Sequence, residues 1–155
     1  MAERQVLRMG HPELMRVAEP ITAFGTDYLN ALVQDLWDTM RAYGGIGLAA
    51  TQIGVAHRVV VFGLDDPTDE TGRPVVPRTT LVNPIIEPLE SQMTDGWEAC
   101  LSVPGMRGVV PRYERIRYSG VDPNGLPIRR EAQGFHARVI QHECDHLDGV
   151  LYPMR

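Results

Sequence analysis

The chain has 155 residues, 43% of them hydrophobic, and a formal net charge of -5 from 20 acidic and 15 basic residues. That length and apolar share suit one compact unit with its own core, taken here as residues 1–155. There is no basic block of the kind that binds nucleic acid and no apolar run near the ~18 residues of a membrane helix, so neither partner is expected. The opening "MAERQVLRMGHPELM" has no apolar signal core and no transit pattern, so a cytoplasmic, bacterial protein is expected, although a mature organellar form would look the same. Cys100 and Cys144 are too few for a disulfide framework. In a reducing compartment, metal or catalytic roles become the stronger readings for them.

Gly10, Pro12 and Pro20 make residues 1–26 an extended, turn-rich lead. In "TDYLNALVQDLWDTMRAYGG", Leu29, Leu32, Val33, Leu36, Trp37, Met40 and Tyr43 recur at helical spacing. This predicts an amphipathic helix over about 27–43, capped by Thr26 or Asp27 and ended by Gly44 or Gly45. The loop "GGIGLAATQIG" follows, then the β-branched strand "HRVVVFGL" and the polar loop "DDPTDETGRP", expected to be mobile. "TLVNPIIEPLE" reads as a strand whose Pro84 and Pro88 argue for edge or bulged positions. "RYERIRYSGV", "DPNG" and "LPIRREA" read as a hairpin around a tight turn. A last helix is predicted over about 134–148, with Gly149 as its stop. Helix, several strands and helix make an α+β fold.

The last helix contains "QHECDHLDG", with His142 and His146 four residues apart and Glu143 directly after the first. Residues four apart share a helix face, so both rings can aim at one ion while Glu143 reaches a water beside it. The bland alternative is a pair of histidines on a solvated face. Phe135, Val139, His142 and His146 form one stripe, however, so the histidines continue an apolar face and need buried partners. A third ligand is expected upstream. Tyr152 stands where one protease class has its third histidine, and "LDGVLYPMR" contains no glutamate. Cys144 lies ~200° round the helix from either histidine, aligned with Ile140 and Leu147, and reads as core packing. Cys100 remains, either as a thiolate ligand or as a buried structural cysteine. Cysteine plus two histidines would leave a coordination position open, the arrangement of catalytic rather than structural sites.

Gly45, Gly47 and Ala50 also fit a dinucleotide-binding fingerprint, with Asp65 twenty residues after Gly45. The context is wrong, because a helix rather than a strand precedes the loop and no helix fits between it and the next strand.

Taken together, "GIGLAATQ" (45–52), "EACLS" (98–102) and "QHECDH" (141–146) resemble, in order and spacing, the three signature motifs of the peptide deformylase family: G-x-G-L-A-A-x-Q, E-G-C-L-S and H-E-x-D-H. The resemblance runs from Val6 to Met154. It implies antiparallel or mixed β-sheets packed around a central C-terminal helix carrying the histidines, with an amphipathic helix nearer the N-terminus. It implies removal of the N-formyl group from nascent N-formylmethionyl polypeptides, giving formate and a free amine. It assigns Cys100, His142 and His146 to one divalent metal, typically Fe(II), with zinc, nickel or cobalt also able to occupy the site. Glu143 becomes the proton carrier, and the Gln52 side chain and Leu101 N–H become donors to the tetrahedral oxyanion. Ile46 and Gly47 match positions that hold an extended peptide by its backbone, and Val139 and His142 are candidates to line a methionine pocket. Glu98 is expected to support the ligands. Asp145 either orients local structure or is a solvated helix charge. The chain departs from the family at Ala99, where glycine is usual: alanine is strained if the backbone there needs a positive φ, and otherwise its methyl is tolerated and narrows the pocket. It also stops at Arg155, where many members continue, a difference bearing on stability or ribosome attachment. Two rival readings share the same residues: a small zinc endopeptidase, and a metal-bound binding protein without turnover.

Overall fold

The computed structural model describes residues 3–68, 70–72 and 74–155. The polar loop expected to be mobile includes residues 69 and 73, which lie outside the described residues.

Helix α1 spans Asp27–Ala42, and the Thr26 hydroxyl caps it by accepting from the Leu29 N–H at 3.1 Å. The predicted loop after it contains a short strand, β1 (Gly47–Ala49), and one 3-10 turn over Ala50–Ile53. Strands β2 (Val59–Phe62) and β3 (Thr79–Pro88) follow, then β4 (Met93–Cys100), β5 (Val103–Tyr113), β6 (Arg115–Val121) and β7 (Pro127–Gln133). Helix α2 spans Gly134–Leu147, and Gly149 beyond it adopts the left-handed conformation that ends a helix (φ 77°).

One five-stranded sheet has the order β1-β2-β3-β6-β7, and β4 and β5 form a separate two-stranded ribbon. The strand pairings are antiparallel throughout. Among the described residues the only parallel contact is an isolated bridge between Glu19 and His57, so the expectation of mixed sheets resolves to antiparallel ones. The five-stranded sheet separates two apolar layers. Val59 and Val61 of β2 face Leu29, Leu32, Leu36 and Met40 of α1. Val60 and Phe62 face Ala137, Ile140, Cys144 and Leu147 of α2. This is why β2 reads as an unbroken apolar run: both of its faces are covered.

Strand β3 lies between β2 and β6, so its prolines do not mark an edge. Pro84 accompanies a bulge, where register shifts between Val82 and Ile85 and Asn83 turns to φ 53°, whereas Pro88 ends the strand opposite Ile116. The Asn83 amide uses this turn to hold the lead segment. Its Oδ1 accepts from the Ile21 N–H at 2.8 Å and its Nδ2 donates to the Ile21 carbonyl at 2.9 Å.

The sequence pattern assigns no strand to residues 93–111, and the β4–β5 ribbon is the main addition. It alternates in the reverse sense to an ordinary half-buried strand. Glu98 and Arg112 point inward and are buried, whereas Trp97 and Val109 point outward at 62% and 51% exposure. The inner face packs charge against α2, so hydrophobic alternation does not reveal it.

Candidate active site

Three elements bring the site together. Helix α2 presents His142 and His146, and the end of β4 delivers Cys100. The β1 segment and the 3-10 turn after it carry Ile46, Gly47 and Gln52. One ligand atom each from Cys100, His142 and His146 lie within 4.8 Å of one another. Cys100 Sγ is 3.3 Å from His146 Nε2. Both histidines are buried, at 8% and 0% exposure, which rules out the solvated-face alternative. Cys144 is free and packs in the apolar layer with Ile140 and Leu147, away from this cluster.

The donor set fits a divalent metal. One soft thiolate and two imidazoles suit zinc, iron, cobalt or nickel, and no fourth protein ligand joins them among the described residues. Each imidazole must offer a lone pair. Burial, with the charges of His142 and Arg112, holds the His146 pKa well below its usual value, so that ring stays neutral. For His142, burial disfavours a charge, but bonds to Cys100 and Glu98 outweigh it and push the pKa up to about 10.

Glu98 explains the orientation of His142. Its Oε1 pairs with His142 Nδ1 at 2.8 Å, leaving Nε2 for the site. A carboxylate behind a histidine fixes tautomer and ring direction in this way. Glu98 itself receives two bonds from Arg112, at 2.8 and 2.9 Å, and one from Arg138 at 2.8 Å. Burial acts to raise its pKa, but Arg112 and His142 bring it down to about 2. Arg112 also contacts Asp145, which in turn holds Arg155 at 2.7 Å. Asp145 is therefore a buried partner in a charge network rather than a solvated helix charge. Arg112 and Arg138 carry no sequence signal, since an isolated arginine is ordinarily a surface residue. Tyr152 is no ligand, but its ring stacks on His142 with centroids 6.2 Å apart.

Glu143 is buried beside the ligand cluster, and its Oε1 has no hydrogen-bond partner among the described residues. Burial pushes its pKa up to about 7, with His142 opposing and Glu98 assisting. That value suits a group that must both take and return a proton near neutral pH. Its carboxylate lies against bare backbone, because a Cβ on Gly47 would stand 2.5 Å from Glu143 Oε2. Gln52 is also aimed at the cluster. Its Oε1 is fixed by the Ala49 N–H at 2.9 Å, and its Nε2 donates to Ser102 Oγ at 3.0 Å and approaches Cys100 Sγ at 3.6 Å.

These groups open into a cleft of about 580 Å³ whose walls include Ile46, Gly47, Leu101, Phe135 and Val139. Val139 both lines the cleft and packs in the apolar layer against the sheet. Strand β1 is an outer strand of its sheet, and Ile46 and Gly47 stand where it meets the cleft. Ala99 carries no positive-φ strain, because among the described residues Asn83 is the only non-glycine with positive φ, and the exposed alanine borders the cleft.

A family model described as polypeptide deformylase matches residues 3–155. The chain is 59% identical over 152 residues to Peptide deformylase 2 of Ralstonia nicotianae, covering 98% of this chain and 86% of that protein. It is 58% identical over 150 residues to Peptide deformylase 1 of Bordetella pertussis, covering 97% and 85%. The crystal structure of a class I type b peptide deformylase from Acinetobacter baumannii with Met-Ala-Ser bound superposes over the whole of both chains, with a TM-score of 0.90 and 32% identity. The matched length, the identity and the shared fold together establish that the chain belongs to the polypeptide deformylase family.

Proposed function

We propose that this chain performs the family's reaction, hydrolysis of the N-formyl group of N-formylmethionyl nascent polypeptides, in the cleft above Cys100, His142 and His146, with residues 3–155 acting as one catalytic unit. The observation that carries this reading is the convergence of three ligand atoms within 4.8 Å beside a buried carboxylate with a free oxygen. Cys100, His142 and His146 would hold one divalent ion, Fe(II) in the cell, with zinc, nickel or cobalt as substitutes. Such an ion, when bound, acidifies a water and polarises the carbonyl under attack.

The chain's own groups do the rest. Glu143, whose Oε2 rests against Gly47 and whose Oε1 is unpaired among the described residues, takes the proton of the attacking water and returns it to the departing amine. Gln52 Nε2 and the Leu101 backbone N–H donate to the oxyanion of the tetrahedral state. Gln52 is suited to this because its Oε1 is already fixed by Ala49, so its amide is directed before substrate arrives. The substrate backbone adds to the free edge of β1 at Ile46 and Gly47, which gives tolerance of sequence after the first residue. Val139 and His142 line the seat of the methionine side chain. Nascent chains as substrate put the protein in the bacterial cytoplasm, at or near the ribosome.

The test is formate release from formyl-Met-Ala-Ser by Fe(II)-loaded protein kept from oxygen, since a thiolate-bound Fe(II) site is prone to oxidation. Formate without cleavage of an unformylated protein supports deformylation over the endopeptidase reading. A correctly metallated sample that releases no formate overturns it.

A further inference from the structure

The metal ligands come from two bodies that no strand ladder joins. His142 and His146 belong to α2, whereas Cys100 ends β4 of the separate ribbon. A two-stranded ribbon alone is marginally stable, so the place of Cys100 depends on how the ribbon docks onto the helix.

Arg138 lies one helical turn before His142, and its side chain is 11% exposed. Its guanidinium reaches both ribbon strands. Nη2 donates to the Thr94 carbonyl at 2.7 Å, and Nη1 donates to the Val110 carbonyl at 2.7 Å and lies 3.5 Å from that of Gly96. Nη1 also donates to Glu98 Oε2 at 2.8 Å, while the other oxygen of Glu98 holds His142 Nδ1. Arg138 and His142, one turn apart, therefore grip one carboxylate by its two oxygens. The ribbon is bare where the arginine crosses it: a Cβ on Gly96 would stand 2.7 Å from Arg138 Cζ and 2.8 Å from its Nε and Nη2.

We propose that Arg138 is a positioning residue that clamps the β4–β5 ribbon onto α2 across Gly96 and so sets the Cys100 thiolate against His142 and His146. The inference rests on the proposal that these three residues are the ligands. Arg138 is held by fixed carbonyls on a strand pair, and a planar fork of donors suits that task better than a lysine ammonium.

The experiment loads metal-free protein with Co(II), measures affinity by competition with a chelator, and records the thiolate-to-cobalt absorption band. Arg138→Met keeps an apolar stem and removes the fork. It is expected to weaken Co(II) binding about 10–100-fold, the usual effect of losing a group behind a metal ligand, and to alter the band. It should lower kcat while leaving KM for formyl-Met-Ala-Ser within about threefold, because the arginine borders the cleft but its guanidinium is engaged by the ribbon carbonyls and Glu98. Arg138→Lys should recover part of the affinity. Gly96→Ala should reproduce the defect when Arg138 is present and add less to Arg138→Met, since the struck Cζ and Nη2 are then gone and only the flexible methionine Cε stands near the former Nε. Affinity within about twofold of the parent with an unchanged band, even alongside a lower melting temperature, would reduce Arg138 to a stabilising contact and overturn the proposal. Additive losses in the double variant would overturn it too. If Arg138→Met does not fold, Arg138→Lys and Gly96→Ala carry the same readouts. A parent protein lacking the thiolate band would refute the ligand assignment itself, and this inference with it.

Discussion

Gly47→Ala offers the sharpest test of how the site is built. The added Cβ would stand 2.5 Å from Glu143 Oε2 and 2.9 Å from its Cδ and Cγ, whereas ordinary contact begins at 3.4 Å. The carboxylate must therefore retreat by about 0.9 Å (3.4 less 2.5), and a displacement of about 1 Å in a reacting group costs on the order of 100-fold in rate. Glu143 is buried, so the strain has little room to relax, and overpacking of this kind costs ~1–3 kcal/mol of stability. For a domain of this size that corresponds to a fall of about 2–12 °C in melting temperature. The ligand atoms are untouched, so metal content should stay at one per chain. The assay couples formate release from formyl-Met-Ala-Ser to an indicator enzyme at saturating metal, beside a thermal melt and metal analysis. A variant with parent-like melting and kcat/KM within about threefold would show that Glu143 either does not rest on Gly47 or does not carry the proton, and the reasoning would fail.

Four further outcomes are expected. Glu143→Ala should retain its metal and lose about 10²–10⁴ in kcat, the range for removing a proton-transfer group; metal loss of the same extent would make Glu143 a ligand instead. Glu98→Gln leaves Arg112 and Arg138 short of a charge partner in a buried setting, so urea denaturation should reveal a loss of ~3–5 kcal/mol, with weaker metal binding. Cys100→Ser should abolish the thiolate band of the Co(II) protein while Cys144→Ala leaves it intact, and the reverse pattern would exchange the two cysteines' roles. Burial, aided by the charge of Arg130, lowers the His136 pKa from 6.5 to about 4. The unfolded chain therefore takes up a proton near pH 6.5 while the folded one does not, and stability falls as pH drops from about 6.5 towards 4. The shift corresponds to at most ~3 kcal/mol, and to roughly 1–2 kcal/mol once partial exposure is allowed for. Denaturation curves at pH 7 and 4.5 should show this slope, and His136→Gln should flatten it.

Much of the site was legible because its signals are local. Helical spacing puts His142 and His146 on one face and turns Cys144 to the other, from rotation per residue alone. The apolar run of β2 and the spaced Leu29, Leu32, Leu36 and Met40 likewise report burial that each element meets along its own length. The motifs containing Gln52, Cys100 and Glu143 then suggested which distant stretches belong together.

Tertiary structure alone decided how those stretches meet. The β4–β5 ribbon escaped the pattern because its inner face is a charge network. Glu98 and Arg112 point in and Trp97 points out, so the alternation that marks a strand is inverted. Whether Ala99 is strained depended on its backbone, which lies in β4 without a positive φ. The sequence left Asp145 open between orienting local structure and being a solvated helix charge, and nothing in it singled out Arg138, since a charged side chain on a helix is ordinarily solvated. Their buried partners lie about 30 to 40 residues away in sequence. Which charges pair in the interior depends on which chains pack against each other, and no local periodicity encodes that.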